Sequence, residues 1–355
     1  MDTSTISTTS TGTDVTLIDE IYGIKSVNHT YTRDGILFNI KDSHDTFILK
    51  TVNDETGRKH FTHLIHSYLQ KHGFTNIDSI ILTKKHTLTA EINGTDYVCS
   101  KVLKGRQCSA ESLQDTKKAA RLLAKMHNAA KGFTKEEAEK LSQSLNTQSA
   151  DNEMPYIKCE AGQLTELFQH RARELMRFKK AALRGKGIFD YEYAAVADKF
   201  CNAANDACEA LSMSKYDEIS LNYIKTGIIC HKEYSHHNVI FLSEKEGGIV
   251  NFDKASIDLP ILDTLNLIKR HMKKNVWSAA ATKEILSEYS KERSIPCEEL
   301  EIMKIVLSFP QKLWRIVNKY YNSRRAWCEK SCLLKLKEIN EESDTIKNFL
   351  RELTF

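Results

Sequence analysis

His231, Glu233 and Asn238 stand in the stretch CHKEYSHHNVIF in the pattern H-x-E-x-x-x-x-N. That spacing sets a carboxylate and an amide at the two ends of one short loop. The carboxylate can orient or deprotonate a hydroxyl, and the amide oxygen can ligate Mg²⁺. Phosphoryl transfer uses such groups because it depends on positioning and charge neutralisation more than on covalent work by the protein. Asn251 lies further on in IVNFD, two positions before Asp253. If this segment continues as a strand, Asn251 and Asp253 share one side and Phe252 takes the other. Lys50, in FILKTV, is the candidate cation for phosphates. A second chemistry could be drawn from Cys230, His231, His236 and His237, but their spacing matches no zinc pattern, and adjacent histidines diverge in regular backbone.

The elements that must position these groups follow from periodicity. IYGIKSVNHTYT and GILFNIK read as two strands joined at Arg33-Asp34-Gly35, and DTFILKTV as a third. GRKHFTHLIHSYLQKHGF reads as a helix, with Phe61, Leu64, Ile65, Tyr68 and Leu69 at helical spacing and Gly73 as its stop. More strands follow, with Asn93-Gly94 as a hairpin turn. From Ser112 the pattern becomes helical. Residues 134–154 are polar and read as a mobile connection. The apolar runs around the opening motif read as a tight hairpin, VIFL–SEKEGG–IVNFD, and the chain from about Pro260 reads as helical. The expected fold is α+β and bilobal: residues 1–16 a disordered Ser/Thr-rich leader, 17–103 a small lobe with an antiparallel sheet and one helix, 104–111 a hinge, and 112–355 a larger, mainly helical lobe carrying the loop 230–254.

Two basic stretches invite a binding role. One is the Arg/Lys face of LTELFQHRARELMRFKKAAL. The other is LWRIVNKYYNSRRAWCEK, which mixes Trp314, Tyr320, Tyr321 and Trp327 with Arg315, Arg324 and Arg325. Both read more simply as helices with packed aromatics and a solvated outer face.

The 355 residues carry a net charge of +4, too small to argue by itself for nucleic acid or membrane. No segment has the roughly 20 apolar residues of a membrane span. The leader lacks the basic and apolar regions of a secretory signal. Nine cysteines without a CxxC pair read as reduced thiols in a cytoplasmic protein.

HKEYSHHN, followed by IVNFDKASIDLPILDTLNLIKR, resembles the spore coat CotS family, within the aminoglycoside phosphotransferase and choline kinase-like superfamily. Members typically show H-x-D-Y-x-x-x-N, then I-D-F/L-D, then D-L-P-x-x-D-L. KVLKGRQC followed by LAKMHNAAKGF is similar to that family's interlobe stretch. The likeness spans about residue 20 to the C-terminus. It implies a protein-kinase-like bilobal fold with ATP and Mg²⁺ in the cleft. It also implies a small-molecule acceptor, other spore coat proteins as partners, and a place in the mother-cell cytoplasm and then the spore coat. Nucleic acid and membrane are not implied. By the resemblance, Lys50 pairs the phosphates. Val98, Ser100 and Val102 line the adenine pocket, in a hinge from Val98 to Gly105. Glu233 takes the catalytic position, Asn238 and Asn251 the metal positions, and Asp263 a structural one.

Three departures weaken catalysis. Glu233 replaces Asp, moving the carboxylate by about 1.5 Å, and a shift near 1 Å can cost on the order of 10²-fold. Asn251 replaces Asp and removes a charge beside a dication that prefers charged oxygens; Asp253 is the candidate substitute. From Thr56 to Ile77 there is no acid to hold Lys50, only His60, His63 and His66, while Glu55 comes too early. These point to a pseudokinase or very weak phosphotransferase. The alternative is an active ATP- and Mg²⁺-dependent kinase of a sugar, aminosugar or amino-alcohol, with Glu233 as base.

Overall fold

Alternating apolar residues in the first third of the chain build one antiparallel sheet. The computed structural model describes residues 13–32, 35–40, 45–52, 56–145, 157–322 and 329–354. Within these, the small lobe comprises α1 (Thr13–Tyr22), β1 (Ser26–Thr32), β2 (Gly35–Ile40), β3 (Thr46–Thr51), α2 (Thr56–Lys71), β4 (Ile80–Ile81), β5 (Ala90–Ile92) and β6 (Thr95–Lys101). The sheet order is β1-β2-β3-β6-β4, with β5 on β6. Asn93 (φ 52°) and Gly94 (φ 74°) are both left-handed, as a two-residue hairpin turn requires.

Side-chain alternation gives the sheet two different faces. Phe47, Leu49 and Cys99 pack with Ile18 and Tyr22 of α1 in a small core. Lys50 and Ile48 point to the other face, opposite their cross-strand partners Val98 and Ser100. The sequence reading ended a leader at residue 16 and began a strand near Ile21. Instead α1 covers the back of the sheet, because Ile18, Ile21 and Tyr22 fall at helical spacing over it. Residues 1–12 lie outside the described residues, as do Arg33, Asp34, Glu55, Arg324, Arg325, Trp327 and Cys328.

The apolar stripe of α2 joins the larger core, not the small one. Phe61, Leu64, Ile65, Tyr68 and Leu69 pack with the helical lobe. Tyr68 meets Phe133 edge-on at 5.0 Å and donates to the Lys131 carbonyl at 2.6 Å.

The chain then crosses through β7 (Arg106–Gln107) into α3 (Leu113–Ala129), α4 (Lys135–Leu145), α5 (Leu164–Ala182), α6 (Ile188–Met213) and α7 (Tyr216–Thr226). Asp115, in the first turn of α3, accepts two bonds from the Arg106 guanidinium, at 2.6 and 3.0 Å, and so ties the crossing to that helix. A side chain at Gly105 would strike the Phe241 carbonyl at 2.4 Å, so only glycine lets the crossing pass this close. The segment read as a mobile connection begins as a helix: Ala138 and Leu141 of α4 are buried in the core that α2 joins. Residues 146–156 are outside the described residues.

Short pairs carry the polar loop: β8 (Ile229–Cys230), β9 (Val239–Phe241), β10 (Gly247–Ile249) and β11 (Ser256–Ile257). The β9–β10 hairpin forms where expected, and β7 adds to its edge. Five helices close the lobe: α8 (Pro260–Lys274), α9 (Ala279–Ser290), α10 (Cys297–Ser308), α11 (Gln311–Asn322) and α12 (Glu329–Glu352).

Candidate active site

The loop after β8 is held from behind by one buried carboxylate. Asp263, in the first turn of α8, accepts from the backbone N–H of His231 at 2.5 Å and of Lys232 at 2.7 Å, and pairs with His127 Nε2 at 3.3 Å. Burial pushes the Asp263 carboxyl up, but the His127 hydrogen bond and the nearby His231 and Lys232 more than offset this, so it stays below its usual range. His231 spans the loop's interior, its Nε2 donating to the Val250 carbonyl at 2.9 Å. Lys232 adopts a left-handed φ of 69°, and its ammonium is pinned between Asp258 and Glu160. That turn leaves Glu233 exposed at the protein surface.

From Lys50 a chain of hydrogen bonds runs to the loop. The Lys50 ammonium donates to Asn251 Oδ1 at 3.4 Å. Asn251 Nδ2 donates to Asn238 Oδ1 at 3.0 Å, and Asn238 Nδ2 donates to the Glu233 carbonyl at 3.0 Å. The expected cation, base position and two metal positions therefore converge from three separate segments: β3, the loop after β8, and the turn at Asn251. Val98 and Ser100 lie buried in β6, on the Lys50 face of the sheet. Val102 follows the strand and donates its N–H to the Thr46 carbonyl at 2.8 Å.

Asp253 departs from the expectation. The strand ends at Ile249, and Asn251 takes a left-handed conformation (φ 68°, ψ 59°) that starts a single 3₁₀ turn over Phe252–Lys254. Strand alternation therefore does not apply, and Asp253 is not set beside Asn251 as a spare metal ligand. It turns toward α2 and pairs with Lys59 at 2.7 Å. Burial would raise the Asp253 carboxyl, but Lys59 and then Lys50 hold it below its usual range. The helix after Lys50 thus supplies a cation to the large lobe, not an acid to Lys50.

A second carboxylate was missed in the sequence. Asp78, the first acid after α2, accepts the Asn251 backbone N–H at 3.0 Å. Burial pushes its carboxyl up to about 6. His66 packs edge-on against Phe252 at 5.2 Å, with Nε2 3.8 Å from Asp78. Burial lowers the His63 imidazole to about 4 and the His66 imidazole to about 3, so both stay neutral. Neither can clamp Lys50 as a glutamate would.

The histidine-rich metal alternative is not assembled. His231 is spent on Val250, and the Cys230 thiol contacts the Asp258 carbonyl at 3.1 Å. His236 and His237 do not diverge: a 3₁₀ turn brings their rings to 3.8 Å. Among the described residues, the one group of at least three ligand-type side chains close enough for an ion is His127, Cys230 and Asp263. These are fully buried, and Asp263 is already committed to holding the loop.

For a divalent cation, the donor set of the cleft fits poorly. Asn251 Oδ1 serves Lys50, Asn238 Oδ1 serves Asn251, and the Asp253 carboxylate serves Lys59. For nucleotide phosphates the fit is better, since Lys50 stands on the cleft face of its sheet, gives one long bond to an uncharged amide, and is attracted to Asp78 and Asp253 without an ion pair to either among the described residues.

A sheet-rich lobe, a helical lobe and this loop between them define a kinase-like fold. The chain belongs to the phosphotransferase enzyme family, whose model matches residues 24–300. It is similar to an aminoglycoside phosphotransferase from Alicyclobacillus acidocaldarius (17% identity, 98% of this chain and 96% of that one, TM-score 0.77). It is also similar to spectinomycin phosphotransferase in complex with ADP and spectinomycin (12%, 97% and 98%, TM-score 0.60). A third similar structure is amicoumacin kinase with AMP-PNP and Ca²⁺ (12%, 93% of each chain, TM-score 0.54).

Proposed function

We propose that this protein is a pseudokinase of the CotS type, or at most a very slow phosphotransferase, which keeps the nucleotide cleft of its family. The observation that carries this is the amide pair Asn251–Asn238. An aspartate at 251 could not donate to Asn238 Oδ1, so the bond belongs to the asparagine form. It occupies one of the two lone pairs of an oxygen that a cation would need. The Lys59–Asp253 pair supports the same reading by engaging the nearest remaining carboxylate on that segment.

The sequence motifs in HKEYSHHN and IVNFDKASIDLP support a spore coat role: synthesis in the mother-cell cytoplasm, then assembly with other coat proteins. The test for nucleotide is the melting temperature with and without ATP, since a ligand that binds only the folded state raises it. A rise supports the cleft, and no rise at millimolar ATP removes it.

One observation favours the active alternative. The Glu233 carboxylate has no hydrogen bond or ion pair among the described residues and is exposed, so it is free to accept a hydroxyl proton. ATP turnover that disappears in Glu233→Gln would establish that reading over the first.

A further inference from the structure

α5 and α6 form a helical hairpin joined through residues 183–187. A groove of about 420 Å³ runs between them on the outer side of the lobe. Ala172, Arg173, Met176, Arg177 and Lys180 of α5 line it, with Cys208 of α6 across from them. The basic face of α5, which reads in the sequence as a solvated surface, is therefore one wall of a concavity. Its apolar part is Ala172, which is buried, Cys208, which is half-buried, and Met176, which stays 39% exposed. Leu183 follows Met176 by two helical turns. It is exposed at the hairpin end together with Ile188 and Tyr191, with Arg184 and Lys186 between them in the chain.

The charged part of the wall is regular. Arg173, Arg177 and Lys180 are exposed and stand at i, i+4 and i+7, one stripe roughly 10 Å long on a helix. Among the described residues, Arg173 and Lys180 have no ion pair. Arg177 has Glu174 at 3.5 Å, an acid that also faces His170 at 3.5 Å and accepts the Trp314 N–H at 2.7 Å. Lys179 turns to the other side and is taken by Asp198. The acids of α6 nearest the groove in sequence, Asp206 and Glu209, form no ion pair with the stripe among the described residues.

We propose that this groove docks an acidic amphipathic helix of a partner protein. Its carboxylates meet Arg173, Arg177 and Lys180, and an apolar side chain enters over Ala172 and Cys208 beside Met176. The stripe repeats at helical spacing, so a helix with acids at the same spacing matches it charge for charge. The apolar floor adds the desolvated anchor that helix-in-groove recognition uses. A bilayer is flat on this scale and does not fill a concavity. Bases of a nucleic acid stack on aromatic rings, and none lines the groove. The groove shares no residue with the chain from Lys50 to Glu233, so the proposal stands apart from the cleft reading.

The test titrates a fluorescein-labelled synthetic helix, with glutamates at i, i+4 and i+7 beside a row of leucines, with the full chain and reads anisotropy. Saturable binding at micromolar protein is expected. It should weaken at least about tenfold in Arg173→Glu/Lys180→Glu, and by as much when glutamines replace the peptide's leucines. Lys225→Glu/Lys245→Glu makes the same charge change elsewhere on the surface and should leave binding unchanged. The Arg173→Glu/Lys180→Glu protein should instead bind the peptide's lysine counterpart, which the unaltered protein should not. No binding at millimolar protein, equal weakening in the two double variants, or indifference to the leucines would each overturn the proposal. So would a single-stranded oligonucleotide, or vesicles of phosphatidylglycerol, that displace the peptide and lose binding in Arg173→Glu/Lys180→Glu. Should that double variant melt lower than the unaltered protein, Lys180→Glu alone decides: a loss of at least about threefold supports the groove, and no loss overturns it.

Discussion

Lys59 on α2 and Asp253 on the 3₁₀ turn form an ion pair at 2.7 Å that joins the two lobes across 194 positions of sequence. The pair reverses the polarity expected of a kinase, where an acid on this helix would hold the β3 lysine. It also ties up a carboxylate beside the cleft. Since the Asp253 side chain is 46% exposed, water screens much of the attraction. Lys59→Met should therefore lower stability by only about 1 kcal/mol, read by urea denaturation.

Asn251→Asp should have a mixed effect. Two acceptor oxygens would face each other where Asn251 Nδ2 now meets Asn238 Oδ1. The metal-free protein should lose about 1–2 kcal/mol. In exchange, Mg²⁺ should raise its melting temperature where it does not in the unaltered protein. Adding Glu233→Asp should then give measurable ATP turnover if the two substitutions alone account for the lost chemistry.

Acid should destabilise the protein through α2. His63 and His66 remain neutral in the fold but take protons in the unfolded chain below about pH 6.5. The unfolded state then binds more protons, and stability falls as pH drops through 6.5 toward 4. Asp78 works the other way. Its raised carboxyl takes a proton in the fold below about 6, before the unfolded chain does, and so offsets part of one histidine's loss. These three groups together should account for a loss of about 2–3 kcal/mol between pH 7 and pH 5, and the buried His60, His127 and His231, lowered in the same direction, add to it. His66→Leu should reduce the loss by about 2 kcal/mol, measured by urea denaturation at the two pH values.

Arg293 is nearly buried and bonds Glu299 at 2.7 Å and the Tyr223 hydroxyl at 2.6 Å, with Glu299 fully buried. Glu299→Ala leaves the guanidinium without its counter-charge and should cost about 3–5 kcal/mol. This network reaches the loop only indirectly, through Tyr289, His127 and Asp263, so the affinity for ATP, measured well below the melting temperature, should change less than the stability.

Much of this was legible in the sequence. Alternation placed β3 and set Lys50 on the face away from Phe47 and Leu49, and the Asn93-Gly94 turn followed from residue type alone. The spacing of Glu233, Asn238 and Asn251 brought together three residues that do meet. Asp253 was misread because alternation was carried past the end of a three-residue strand, although asparagine at 251 is one of the few residues that tolerates a left-handed turn. Lys59 was passed over because a lysine on a helix is usually solvated, and its partner lies 194 positions away. Asp78 carries no local motif. Its charge matters through burial, which only the packed lobes reveal.

The central claim is that the cleft accepts nucleotide while Asn251 keeps the divalent cation out. Calorimetric titration of ATP with excess Mg²⁺, and again with EDTA, tests it most directly. The account predicts similar affinity in both, loss of binding in Lys50→Met, and no ADP formed. Binding that requires Mg²⁺, together with ADP production that stops in Glu233→Gln, would contradict it.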